Sequence, residues 1–169
     1  MTAPLVKRAT ISADGLYRYT LSRTWDWNGP VWSLAFIMLN PSTADAELDD
    51  PTIRRCMGFA RTFGYGGLVV VNLYAFRATK PADLWRAADP VGPENDEYLA
   101  ALLADRAAHG VPTIAAWGAH AKPDRVRQVL DMPGAERLVC LGHTKHGAPR
   151  HPLYLRGDSQ MRPLTGGAS

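Results

Sequence analysis

Four short, nearly continuous apolar runs constrain this chain more than any other feature. They are Val31 to Leu39, Leu68 to Tyr74, Val111 to Trp117 and Arg137 to Leu141. Runs of this length bounded by turn formers read as strands, and strands apolar on both faces belong in a sheet that is covered on both sides. The segments between them carry helix signals. Asp50 and Pro51 offer an N-cap and a first-turn proline for a helix to about Phe63, which Gly64 stops. Thr79 to Trp85 starts a short helix, and Pro93 to Glu97 places acids in the first turn of a longer one that reaches about His109 before Gly110. Lys122 to Leu130 is the last helical stretch.

The order β-α-β-α-α-β-α-β predicts an α/β fold with right-handed crossovers: a three-layer α/β/α domain around a central four-stranded parallel sheet. Residues 6–12 and 16–22 alternate apolar and polar around Ala13-Asp14-Gly15, which adds an N-terminal β-hairpin over about 6–22. Arg23 to Pro30 reads as a Trp-rich loop, and the chain from Gly142 onward is rich in Gly, Pro and His, without periodicity. With 169 residues and neither an internal repeat nor a linker, a single domain is expected, its core over about 31–156 and its tail over 157–169.

Composition narrows the function classes. The chain is 46% hydrophobic and 21% charged, as an ordinary globular protein is, and a net charge of +3 permits an anionic partner without demanding one. Cys56 and Cys140 lack metal-ligand spacing, so buried reduced thiols and no metal are expected. No N-terminal apolar segment resembles a signal peptide and no run is long enough to span a bilayer, so a cytoplasmic protein without a membrane partner is expected. No G-x-G-x-x-G follows the first strand and no G-x-x-x-x-G-K-[ST] occurs, so the usual phosphate cradles of dinucleotide and P-loop proteins are missing and no cofactor is expected.

In an open α/β sheet, ligands bind outside the carboxyl ends of the strands. The first strand stops at Asn40-Pro41, where proline cannot continue the ladder, and Ser42, Thr43 and Asp45 follow. The second ends in Asn72 to Arg77, the third in Trp117-Gly-Ala-His-Ala121, and the fourth in Gly142 to Leu155. Two amides, several imidazoles and a set of basic groups would therefore converge on one edge. Such a set suits hydrogen-bond reading of a planar polar ring and stabilisation of developing negative charge. Taken singly, Asn40 reads as a turn residue before proline, Asn72 as a strand-end amide and His151 as a loop histidine.

Met38-Leu-Asn-Pro-Ser-Thr-Ala-Asp45, Asp50-Pro-Thr-Ile-Arg-Arg55 and Asn72-Leu-Tyr-Ala-Phe-Arg-Ala-Thr79 closely resemble the hallmark of a bacterial and phage family of unknown function. The strand ends, over roughly 31 to 156, also resemble those of the uracil-DNA glycosylase superfamily. Leu39-Asn-Pro41 is similar to its Asn-Pro-containing first motif, and Val69-Val-Val-Asn-Leu73 to its base-reading strand. Trp117-Gly-Ala-His-Ala121 is similar to its Trp-Gly-Ser-His-Ala strand end, and His151-Pro-Leu-Tyr-Leu155 to its His-Pro-Ser-Pro-Leu loop.

This second resemblance implies a uracil-DNA glycosylase-like fold and a metal-free hydrolase that flips a base out of DNA and cleaves its N-glycosidic bond. Asn40 would orient the attacking water. It cannot take a proton, so Asp45 is the candidate base, ahead of Asp49 and Asp50, which read better as helix-cap residues. Asn72 would read the base edge, with Tyr74 and Phe76 as candidates to stack on it, and His151 would stabilise the leaving anion. Leu155, with Leu153 and Tyr154, would wedge into the duplex, while Lys145, Arg150, Arg156 and Arg54 would meet phosphates. His120 would support its strand end. The implied partner is double-stranded DNA bearing a damaged or modified base, for which modified phage DNA is one source, bound by a monomer. A catalytically idle nucleic-acid or nucleotide-binding module and a nucleoside or nucleotide N-glycosidase are the alternative readings.

Overall fold

The structure, a computed structural model, describes residues 4–26 and 33–164. The start of the first apolar run (Val31 and Trp32), the Trp-rich loop from Trp27 onward and the tail residues 165–169 lie outside the described residues. In chain order the elements are β1 (Val6–Ile11), β2 (Arg18–Thr24), β3 (Ser33–Met38), α1 (Pro51–Thr62), β4 (Gly67–Asn72), α2 (Pro81–Arg86), α3 (Asn95–His109), β5 (Thr113–Ala115), α4 (Pro123–Leu130), β6 (Val139–Cys140) and β7 (Arg162–Pro163). Short 3₁₀ turns at Ala135–Arg137 and Pro152–Tyr154 complete the described elements.

The predicted strands and helices form with shifted bounds: the strand expected from Val111 to Trp117 shortens to Thr113–Ala115, and that from Arg137 to Leu141 shortens to Val139–Cys140, with Arg137 in a 3₁₀ turn. Asp50 Oδ1 accepts from the Ile53 amide at 2.8 Å and Pro51 opens α1, so the cap and the fixed proline φ start the helix together. Gly110 closes α3 in the left-handed region, φ 65°.

The expected four-stranded parallel sheet is corrected to one mixed sheet of seven strands in the order β1-β2-β4-β3-β5-β6-β7. The four apolar strands β4, β3, β5 and β6 are parallel and form its middle. The hairpin β1-β2 is no appendage, because β2 pairs antiparallel with β4 and extends the sheet. The tail is not structureless either, since Arg162 and Pro163 pair antiparallel with β6. In both places an apolar parallel strand would otherwise present an open edge, and an antiparallel neighbour covers it.

Strand alternation sorts the side chains into two cores. Phe36, Met38, Val70 and Ile114 pack with Ile53, Cys56 and Phe59 of α1 on one face. Ile37, Val71, Ala115 and Trp117 pack with Leu84 of α2, Leu99 and Leu103 of α3, and Val129 of α4 on the other. The result is three layers, with α1 alone on its side. From β3 the chain crosses one way to β4 over α1; from β4 it crosses back beyond β3 to β5 over the opposite face. Opposite directions on opposite faces give the crossovers one hand. The reversal also opens a crevice between the carboxyl ends of β3 and β5, where strand order switches.

Candidate functional site

A cleft of about 740 Å³ lies at this switch point, within the size range of small-molecule sites. Every central strand contributes to it: Asn40 beyond β3, Asn72 at the end of β4, Trp117 beyond β5, and His151 beyond β6. Parallel register explains the first pair, for Met38 stands opposite Asn72 and the Leu73 amide donates to Met38 O at 2.9 Å. Met38, Leu39, Ile53, Pro81 and Trp117 give the cleft apolar walls, with polar groups between them.

Asn72 is 1% exposed, and neither its Nδ2 nor its Oδ1 has a hydrogen-bond partner among the described residues. A buried amide left open at both ends is destabilising by about 1–3 kcal/mol per group unless something fills it. Its backbone, in contrast, is clamped. Asn95 Nδ2, at the start of α3, donates to Asn72 O at 2.9 Å and to Leu73 O at 3.1 Å. The side chain is thus held on a fixed strand end, presenting one donor and one acceptor side by side.

Asn40 is fastened by its nitrogen. Nδ2 donates to Ala78 O at 2.8 Å and to Pro41 O at 3.0 Å, so this cleft-lining side chain keeps Oδ1 as its acceptor. His151 precedes a 3₁₀ turn, and its Nδ1 accepts from the Leu153 amide at 3.2 Å. In the neutral ring the proton then sits on Nε2, so the imidazole offers a donor. Burial lowers the His151 pKa below the usual histidine value, with Asp50 pulling weakly the other way, and the neutral form prevails near pH 7. Gly118, at φ 75°, lets the chain turn after Trp117. Its amide donates to Pro149 O at 2.8 Å, and the space of its missing Cβ lies 3.8 Å from His151 Cβ. Trp117-Gly118 therefore seats the histidine loop against β5.

Lys145 and Arg150 stand exposed at the rim, and Arg150 Nε donates to His143 O at 3.1 Å. His120 is an exposed rim residue as well.

Several expected site residues lie elsewhere. Asp45 does not line the cleft: its Oδ1 accepts from the Glu47 and Leu48 amides, both at 2.8 Å, and closes a surface turn. Among the described residues the carboxylate that does line it is Asp50, whose Oδ1 caps α1. Tyr74 belongs to the core under α2 and α3, edge-on to Trp85, because one residue past Leu73 the chain has left the cleft face. Phe76 meets Tyr17 edge-on, outside the cleft. Leu155 is packed against the α1-side core, while Leu153 and Tyr154 are exposed at the cleft mouth, Tyr154 at 77%. Arg54 Nη1 donates to Asp49 O and lines a separate hollow of about 180 Å³, and Arg156 pairs with Asp158 at 3.1 Å. Among the described residues no three His, Cys, Asp or Glu side chains gather as a metal site would require.

Sequence reading passed over one residue entirely. Arg18, the first residue of β2, lines the cleft at 3% exposure, with Nη1 donating to Ala44 O at 2.7 Å and Nε without a partner. Burial drops its pKa to about 10, with Asp50 opposing the drop, so it stays charged at neutral pH. A basic residue in an alternating hairpin reads as solvated, and only the pairing of β2 with β4 brings it inward.

No helix among the described residues is long and apolar enough to cross a membrane. No curated protein and no solved structure matches the chain. Residues 18–153, which run from Arg18 to just past His151, match a family described as a protein of unknown function, DUF1643, and the chain belongs to that family.

Proposed function

We propose that the protein is an N-glycosylase that takes a flipped-out base into the cleft and hydrolyses the bond joining it to the sugar. One observation carries this reading: Asn72, buried and clamped through its backbone, with both ends of its side-chain amide unpartnered in the cleft. Side-by-side donor and acceptor groups match the edge of a nucleobase. The similarity of the four strand ends to those of the uracil-DNA glycosylase superfamily supports it, and carries with it the expectation of duplex DNA as partner and of a cytoplasmic monomer.

In this reading Asn40 Oδ1 holds the attacking water. The water oxygen bonds to the sugar carbon C1′, its proton passes to Asp50, and the C1′–N bond breaks with its electron pair leaving on the base. His151 Nε2–H donates to the departing base as it becomes anionic, a role a neutral imidazole fills without itself losing a proton. Asp50 replaces Asp45 as proton acceptor because it lines the same cleft as Asn40 and its Oδ1 caps the helix, so Oδ2 is the oxygen this reading assigns to the water. Leu153 and Tyr154 at the mouth, instead of Leu155, fill the gap in the duplex, and Lys145 and Arg150 contact phosphate.

The test is a panel of duplexes with mismatched, damaged or modified bases, incubated with the protein and then with alkali to break abasic sites. Strand breaks with the wild type that disappear in Asn40→Ala and His151→Ala are expected. Tight binding with no breaks on any duplex would make the protein a binding module, and release of base from free nucleosides alone would make it a nucleoside hydrolase.

A further inference from the structure

Four arginines are buried among the described residues: Arg18, Arg23, Arg106 and Arg125. Three of them have a carboxylate at hand. Arg23 meets Asp49 at 2.7 Å, Arg125 meets Asp96 at 2.7 Å and Arg106 meets Asp105 at 3.6 Å. Arg18 has none within ion-pair distance among the described residues. It is also the one of the four that lines the cleft. A buried, charged guanidinium with an open Nε is far from its best state, and an anion is what completes it.

Its placement says where that anion would sit. The Arg18 amide donates to Ala75 O, so β2 begins just past the carboxyl end of β4, which is Asn72. The guanidinium then reaches Ala44, in the loop after β3. The loop after β3 runs back toward β2, where Arg23 also reaches it at Asp45 O and Leu48 O, and Arg18 lines the same cleft as Asn72. Arg18 and Asn72 thus bring two independently unpartnered polar groups to one floor of one cleft.

We infer that Arg18 is a ligand-reading residue that receives an anionic oxygen group, carried by the same ligand whose base edge Asn72 reads. The inference rests on the base-pocket reading of Asn72 and adds the substrate class: a base bearing a carboxylate, or a nucleotide whose phosphate reaches the floor. An unmodified neutral base leaves Arg18 as it is. Asp50 does not serve as its permanent partner, being engaged in the helix cap and beyond ion-pair distance. Lys145 and Arg150 lie exposed at the rim and cannot discriminate a buried group as well, since solvent screens them.

Calorimetric titration of the intact protein with matched pairs tests this. One arm compares 5-carboxyuracil with thymine, and the other compares uridine monophosphate with uridine. Binding of the anionic member about ten- to a hundredfold tighter is expected in one arm, the size of a charge-assisted hydrogen bond, and the arm in which the gap appears names the source of the anion. Arg18→Gln closes the gap, whereas Lys145→Gln with Arg150→Gln leaves it open. Should Arg18→Gln not fold, the wild-type gap and its survival in the rim variant still decide. The inference is overturned by equal affinities in both arms, by a gap that persists in folded Arg18→Gln, or by a gap lost in the rim variant. Excision from duplexes without any anion preference would sink this inference alone. An Arg18-dependent preference without excision from any duplex would sink the glycosylase reading and leave the inference standing.

Discussion

The side-chain amide of Asn95 holds the backbone of Asn72, donating to its carbonyl oxygen at 2.9 Å and to that of Leu73 at 3.1 Å. Helix α3 thereby fixes the strand end that presents the unpartnered amide, so a residue outside the cleft decides where that amide stands. Asn95→Ala leaves two buried carbonyls short of a donor, although Arg125 Nε still reaches Leu73 O at 2.8 Å. A loss of about 1–3 kcal/mol is expected, read as a lower urea midpoint with an unchanged m-value. A midpoint equal to wild type would mean that the clamp contributes nothing.

Arg23 does the same for the loop between β3 and α1. It is fully buried, and it donates from Nε to Asp49 and from its other nitrogens to the carbonyls of Arg8, Ser22, Asp45 and Leu48. Arg23→Met strands Asp49 and several carbonyls, and a destabilisation of about 3–5 kcal/mol is expected by thermal or urea unfolding. Arg23→Lys recovers little of it, because a single ammonium cannot reproduce the planar fork. Full recovery by lysine would show that charge alone matters there.

Acid should unfold the protein partly through the same loop. Burial pushes the Asp49 carboxyl up, but hydrogen bonds and charge from Arg23 and Lys7 together outweigh it and hold the pKa below the usual aspartate value. A carboxylate whose folded pKa is depressed adds stability above its unfolded pKa of about 3.9, and that stability is lost as pH falls through the lower folded value. In Asp49→Asn the unfolding free energy between pH 5 and pH 2 should therefore fall less steeply than in wild type. Parallel curves for the two proteins would refute the linkage.

His151 supplies a second pH signature, this one at the cleft. Its folded pKa lies below the usual value near 6.5, so the native state binds fewer protons than the unfolded one as pH drops, and stability falls through the lowered pKa. Protonation also destroys the Nδ1 acceptor that the Leu153 amide uses. An NMR titration of the ring should give a midpoint below 6.5, with the Leu153 amide resonance moving in step. A midpoint at or above 6.5 would contradict the half-buried, neutral imidazole.

Leu153, Tyr154 and Leu155 separate contact from core. The first two are exposed and the third is packed against the α1-side core, its Cδ2 3.2 Å from the space of a Cβ at Gly142. Leu153→Ala and Tyr154→Ala should change stability by no more than about 0.5 kcal/mol, and the proposed glycosylase reading has them weaken duplex binding. Leu155→Ala should cost about 2 kcal/mol, the low end for a packed leucine, which unfolding curves can read. The opposite pattern would return the wedge to Leu155.

The amino-acid sequence by itself determined the central strands, the helices between them and the convergence of Asn40, Asn72 and His151. Apolar runs, caps and prolines act over a few residues, and a parallel βα order then forces the strand ends onto one edge. Tertiary structure alone decided the rest. Hairpin and tail joined the sheet because its open apolar edges needed covering, a demand no local pattern announces. Arg18 turned inward for that reason, through β2 pairing with β4. Asp50, not Asp45, reached the cleft because backbone amides at 47 and 48 claimed the Asp45 carboxylate. Tyr74 and Phe76 left it because the chain changes face after Asn72, and Leu155 gave way to Leu153 and Tyr154 at the end of a 3₁₀ turn. Which of several neighbouring polar or aromatic side chains faces a ligand depends on partners far away in sequence, and those partners are set only once the sheet has closed.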